Sequence, residues 1–353
     1  MTTLTETRPN PLTAGQLPNV ASWATLAGAA LVGALIDSTA LDGFDPGTTV
    51  FLGAVIYLPA IYLLSRSVEG RRRATDRLAT NLVAGAFLLA LLPLVSVLWA
   101  SLSGGLPRFD ATFFTWSMRN VIGDGGGALH AIYGTLFVTG IATLISVPIG
   151  LMTAVYLVEY GRGMLARGIT FFVDVMTGIP SIVAGLFAYA LMAIVFGPGT
   201  INGFSGSLAL SVLMIPIVVR ATEELLRIVP NELREASYAL GVPKWRTIMS
   251  VVLPTSLSGI VSGVILAIAR IIGETAPLMI AAGFTNSTNT NPFANPMMTL
   301  PVFVYSEYAY AGVPRVPYTE RAWAGALTLI LIVMALNLIG RLIARRFAPK
   351  AGR

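Results

Sequence analysis

Residues 268–278 read IARIIGETAPL. Arg270 and Glu274 stand four positions apart inside an apolar run built to lie in lipid, where each charge costs roughly 2.5–3.5 kcal/mol on the insertion scale. On an unbroken helix these positions share a face, so the spacing predicts that the two side chains neutralise one another. Pro277 cannot donate to the carbonyl of Gly273, so the helix is predicted to bend or open beside the charges. Charges beside a broken helix read as the lining of a polar pathway. In it Arg270 meets an anion, Glu274 holds the arginine or replaces the anion when it leaves, and Thr275 adds a hydroxyl. The competing reading is a structural pair that clamps two helices.

The rest of the chain sets the context. Of 353 residues, 55% are hydrophobic and only 11% charged, whereas soluble proteins carry about 25% charged residues. The composition is that of an integral membrane protein. The net charge of +6 lies in short arginine runs between apolar segments, a topology signal that disfavours nucleic acid as a partner. Cysteine is absent, which excludes a disulfide framework and a thiolate nucleophile. His130 is the single histidine; at the outer start of the fourth span it reads as an interfacial residue, and no metal site is expected. A lone histidine also forbids most hydrolytic constellations. Lysine occurs only at Lys244 and Lys350, neither in a Walker loop, so any nucleotide must be held by another chain.

Apolar windows of about 20 residues fall near 20–37, 48–65, 78–102, 131–158, 169–196, 207–220, 256–283 and 322–342, predicting an all-α polytopic fold with about eight spans. Arg66 to Arg77, Arg162 with Arg167, and Arg341 to Lys350 then fall on one side, which the positive-inside rule makes cytoplasmic. Both termini are expected there. Opposite loops carry Arg108, Arg119, Arg315, Arg321, Asp37, Asp42, Asp45 and Asp110. Residues 1–19 read as a disordered tail, 20–77 as a two-helix appendage ending in the basic stretch VEGRRRATDR, 78–345 as the main domain and 346–353 as a cytoplasmic tail. The outer segment 284–320, with Asn286, Asn289 and Asn291, reads as a polar loop able to contact a partner. In the fifth span, TGIPSIVAG repeats the interrupted-helix device: Pro180 frees a carbonyl, and Thr177 and Ser181 bring donors. Intramembrane charges and broken helices also describe secondary transporters.

Residues 220–254 form a polar insertion longer than a simple connection requires. Pro230 and Asn231 supply a helix start, Glu232 and Glu235 suit its first turns, Gly241 offers a stop, Pro243 can open a second short helix, and Pro254 marks the start of span seven. Two short helices joined by a glycine turn are predicted. An amphipathic pair resting on lipid is the alternative to a docking element.

Glu235, Ala236, Gly241, Leu253 and Pro254 resemble the EAA loop of ABC importer permeases, with Ser237 and Val251 as departures that keep size or hydrophobicity. In that family the loop is the coupling helix that docks on an ATPase subunit, and this distinguishes the chain from a secondary carrier. Together with ARIIGETAPL, TGIPSIVAG, GALHAIYGTL and VYLVEY, it resembles the phosphate-specific PstA-type permeases over roughly residues 78–345. The resemblance implies a type I ABC importer permease fold in a prokaryotic cell membrane. It implies as partners a PstC-like permease, a PstB-like ATPase dimer carrying ATP and Mg, and a PstS-like extracytoplasmic phosphate-binding protein. It implies alternating access: ATP binding draws the coupling loops together and opens the permease outward, and hydrolysis resets it. It also points to Arg270 and, at the inner end of span six, Arg220 as arginines of the phosphate path. An arginine at a helix end is equally a topology anchor. Charge chemistry alone leaves sulfate and molybdate open.

Overall fold

The computed structural model describes residues 17–40 and 45–347. The remainder of the N-terminal tail, Asp42, Lys350 and the last residues of the C-terminal tail lie outside the described residues. The chain divides into two compact units between Leu98 and Trp99.

The first unit holds α1 (Asn19–Ala40), α2 (Pro46–Val68) and most of α3 (Arg71–Gly105). Asp45 caps α2, its carboxylate accepting from the Thr48 amide, and Pro46 takes a first-turn position where no amide is needed. Asp37, buried within α1, accepts from the Asp45 amide at 2.9 Å and the Thr49 hydroxyl at 2.7 Å, closing the hairpin. At the other end Glu69 gathers the Leu17 amide, the Ser65 hydroxyl and the Arg77 guanidinium. Burial pushes the Glu69 carboxyl up, but these donors together hold it below the usual range. Leu17 is thereby docked, which shortens the tail expected to reach residue 19. The basic stretch contains the break: α2 ends at Val68, Gly70 turns the chain at φ +86°, and α3 then runs unbroken from Arg71 through Arg77.

The second unit continues with a 3-10 turn (Leu106–Arg108), α4 (Ala111–Thr115) and α5 (Leu129–Val155), which ends in a π turn (Tyr156–Tyr160). There follow α6 (Gly163–Thr177), α7 (Ser181–Phe196), α8 (Gly203–Ile228), α9 (Asn231–Ala239), α10 (Lys244–Thr247), a second π turn (Ile248–Val252), α11 (Leu253–Ile271), α12 (Ala276–Ala281), α13 (Leu300–Ala309) and α14 (Val316–Phe347). Among the described residues, seven helices are long and apolar enough to cross a membrane, or eight if one bent pair counts as a span. Within the second unit the helices bury a core in which Val138, Leu210, Met214, Ile271 and Leu278 meet.

Three spans differ from expectation. The fifth is not one kinked helix: α6 and α7 meet at 110° across Gly178–Pro180. The sixth is longer than 207–220, because Asn202 caps it from the Ser205 amide at 2.9 Å and Glu223 is neutralised within it, so polar residues at both ends remain helical. The seventh begins at Lys244 rather than at Pro254, since α10, the π turn and α11 form a continuous helix. The wide turn lies directly before Leu253 and Pro254, where proline has no amide to donate.

The outer segment 284–320 is not simply a polar loop. Met297, Met298, Leu300, Val302 and Phe303 are buried, and the Leu300 amide donates to the Thr135 hydroxyl of α5 at 2.7 Å. This covers His130, which is 1% exposed with its ring edge-on to Phe303 at 5.6 Å, rather than interfacial.

Candidate functional site

The stretch IARIIGETAPL folds as a helix, a gap and a second helix. α11 stops at Ile271, the Glu274 amide makes a tight turn to the Ile271 carbonyl at 3.1 Å, and α12 starts at Ala276 with Pro277 in its first turn. The gap carries Gly273, Glu274 and Thr275. It also overturns the expected pairing: Arg270 and Glu274 form no ion pair among the described residues, because the helix ends before position 274 and the two side chains no longer share a face. Arg270 is exposed on the surface of the chain; Glu274 and Thr275 are half-buried.

The second interrupted helix reaches this gap. Gly185 of α7 packs on Pro277 so closely that any side chain would strike the backbone of α12. TGIPSIVAG and IARIIGETAPL are therefore neighbours, brought together by a glycine. The hydroxyls of α6 and α7 do not all join them: Thr177 donates back to the Val173 carbonyl at 2.9 Å on an exposed turn, and Ser181 is half-buried after Pro180.

The 230–254 segment forms a hairpin of α9 and α10. Its turn is a Schellman closure: the Val242 amide donates to the Ser237 carbonyl at 3.2 Å and the Gly241 amide to Tyr238 at 2.9 Å, with Gly241 at φ +76°. The Ser237 and Thr247 hydroxyls, both buried, hydrogen-bond at 2.8 Å and pin α9 to α10. Glu235 and Ala236 are exposed, as are Leu240 (84%) and Trp245 (60%). The hairpin thus turns its polar pins inward and presents a mixed outer face on which Leu240 and Trp245 stand among Glu232, Glu235 and Arg246.

Residues 146–353 match the family described as binding-protein-dependent transport system inner membrane component. Phosphate transport system permease protein PstA 1 of Mycobacterium tuberculosis H37Rv is 46% identical over 291 residues, covering 81% of this chain and 92% of that one. The chain belongs to the PstA permease family. PstA of Yersinia pestis is 38% identical over 286 residues, 81% of this chain and 94% of that one. The fold is that of solved ABC importer permeases. A chain of the bacterial alginate ABC transporter in complex with an alginate-bound periplasmic protein superposes with TM-score 0.56 at 13% identity, covering 82% of this chain and all of that one. A chain of the inward-facing MetNI methionine transporter gives 0.52 at 21% identity, covering 63% and 96%.

In this PstA-family chain the hairpin is anchored by a contact that sequence reading missed. Arg234 of α9 reaches Glu159 in the π turn after α5 through Nε and Nη2 at 3.0 and 2.9 Å, and donates to the Val229 and Leu226 carbonyls. Both side chains are nearly sealed, at 11% and 5% exposure. Lys244 donates to the Glu159 carbonyl and lies over the Tyr160 ring at 4.8 Å. VYLVEY was legible as a motif, but its glutamate sits 75 positions from its partner.

Arg220 is engaged differently from Arg270. It donates to Asp174 of α6 and to Glu223 at 2.7 Å, and Glu223 also accepts from Arg227 at 2.6 Å. Consecutive spans run antiparallel, and Arg220 and Arg270 both lie toward the C-terminal ends of theirs. Gly263 of α11 lies against Ala221 of α8, so Arg270 stands about two helical turns beyond the level of Arg220 rather than beside it.

A second buried arginine escaped the sequence reading. Arg321, assigned to an outer loop, is fully buried at the start of α14. It donates to Glu307 at 2.7 Å and to the Gly123 and Gly125 carbonyls at 2.6 and 3.2 Å, with the Tyr318 ring 4.6 Å away. Burial pushes the Glu307 carboxyl up, the adjacent guanidinium only partly opposing it. The glycine run VIGDGGG was the available signal, since it lets carbonyls converge on a cation.

Proposed function

We infer that this chain is the permease subunit of an ATP-driven inorganic phosphate importer, supplying one half of the path across the membrane. The observation that carries the reading is Arg270, exposed and without an ion-pair partner among the described residues, beside the open gap between α11 and α12, in a chain of the PstA family. A guanidinium with no carboxylate bound to it, next to a helix break, is equipped to receive a tetrahedral anion. Arg270 is the anion contact; Glu274 and Thr275 line the gap; Thr177 and Ser181 belong to the facing broken helix. Arg220, held by Asp174 and Glu223, lies at the inner end.

The hairpin of Glu235, Ala236 and Gly241, continuous with Leu253 and Pro254, is the ATPase-docking element. The chain binds no cofactor itself; ATP and Mg belong to a PstB-like dimer. A PstC-like permease completes the path, and a PstS-like protein delivers phosphate from outside. Both termini face the cytoplasm.

Uptake of labelled phosphate into vesicles containing this chain with those partners tests the reading. Uptake is expected to need ATP and to fall in Arg270→Ala. Equal uptake by that variant would remove the anion role. Uptake without the ATPase would identify a secondary carrier, and preferential uptake of sulfate or molybdate would reassign the solute.

A further inference from the structure

Away from the gap, a cavity of about 400 Å³ opens between α6, α8 and the π turn that ends α5. Its donors are Arg167, Thr170 and Arg227; its other walls include Asp174, Glu223 and Phe171. Both carboxylates are already committed, Asp174 to Arg220 and Glu223 to Arg220 and Arg227. Arg167 enters no ion pair or side-chain hydrogen bond among the described residues; with Arg220, which stands outside the lining but holds both carboxylates, three guanidinium groups are set against two carboxylates and the cluster keeps a spare positive charge.

The rim indicates where the balancing anion comes from. α6 turns 110° away from α7 and carries exposed Met164 (82%), Phe171 and Phe172 beside Arg167. An amphipathic helix of this kind lies along a membrane surface with its apolar side chains in the acyl boundary and its cations at headgroup level.

We propose that this cavity is a binding site for the phosphodiester headgroup of an anionic phospholipid, held by Arg167, Thr170 and the free edge of Arg227 while Phe171 packs on the acyl chains. A free phosphate ion would share the polar contacts but gain nothing from that apolar rim.

Native mass spectrometry of the purified full-length chain tests this, comparing retained phosphatidylglycerol with phosphatidylcholine. Preferential retention of phosphatidylglycerol is expected, falling about fivefold in Arg167→Gln. Arg167 has no partner to lose among the described residues, so that variant should fold; Arg227→Gln provides a second, and should also lower retention. Arg341→Gln, an exposed basic residue near the end of α14, should leave retention unchanged. Unaltered retention in Arg167→Gln, or an equal loss in Arg341→Gln, would overturn the site. Displacement of the lipid by millimolar inorganic phosphate would assign the cavity to the free ion and overturn the lipid assignment.

Discussion

Gly185 of α7 lies against Pro277 of α12, with room for no Cβ: one would come within 2.7 Å of the Pro277 Cα and 2.8 Å of its carbonyl oxygen. Both neighbours are backbone and cannot swing aside. Gly185→Ala should therefore destabilise the chain by about 1–3 kcal/mol through overpacking and lower uptake. Gly273→Ala, whose Cβ would meet open space, should leave thermal stability near wild type. Similar melting curves for the two variants would show that the helices do not meet as described.

Arg270 and Glu274, lacking a mutual contact, should behave independently in stability. Their double-mutant cycle should give a coupling within about 0.5 kcal/mol of zero. Arg270→Ala should nonetheless lose roughly 1.5–3 kcal/mol of interaction with the anion, read as an uptake decrease of about tenfold or more. A strong coupling energy would restore the ion pair that the helix break disallows.

Arg234 and Glu159 should behave in the opposite way. Removing one partner strands a buried charge, so Arg234→Gln should cost about 3–5 kcal/mol and loosen the hairpin. In assembled complexes, ATP hydrolysis should then persist without matching uptake. Tight coupling in that variant would separate the hairpin's position from its docking role.

Gly241→Val forces a branched side chain into left-handed backbone at φ +76° and should cost about 1–2 kcal/mol. Because a Cβ there meets nothing, the loss reflects conformation alone. Gly241→Asn should recover part of it, and equal melting of the two variants would argue against the Schellman closure.

Arg321→Gln leaves Glu307 buried without its counter-charge and should cost about 3 kcal/mol or more near neutral pH. A carboxyl whose folded pKa is raised gains stability from protonation, so this contribution is present at low pH and lost as pH rises through the folded value. Without Arg321 the upward push on Glu307 is unopposed. The variant should approach wild type on acidification from neutral pH toward the usual carboxylate range, and Glu307→Gln in the same chain should flatten that dependence.

What the sequence disclosed was local. Apolar length located the spans, and Pro230, Gly241 and Pro243 marked a hairpin whose parts lie within a few residues of one another. Spacing misled at Arg270 and Glu274, since an i,i+4 rule presumes a helix that Gly273 and Pro277 had already ended. Pro180 announced a break but not its angle of 110°, which a local sequence signal does not set. Arg234 finds Glu159 across 75 positions, and Arg321, which had looked like an ordinary outer-loop charge, meets Glu307 only when two successive helices pack. Burial is a tertiary property, so it separated Arg321 from Arg315 only once α13 and α14 were packed.

From Lys244 to Ile271 the backbone is a single 28-residue rod, about 42 Å long, with the hairpin at one tip and the Arg270 gap at the other. It contains a wide turn but no hinge. A displacement at Trp245 would therefore be carried along one continuous helix to Ile271, guided by the α8 surface on which Gly259 and Gly263 lie.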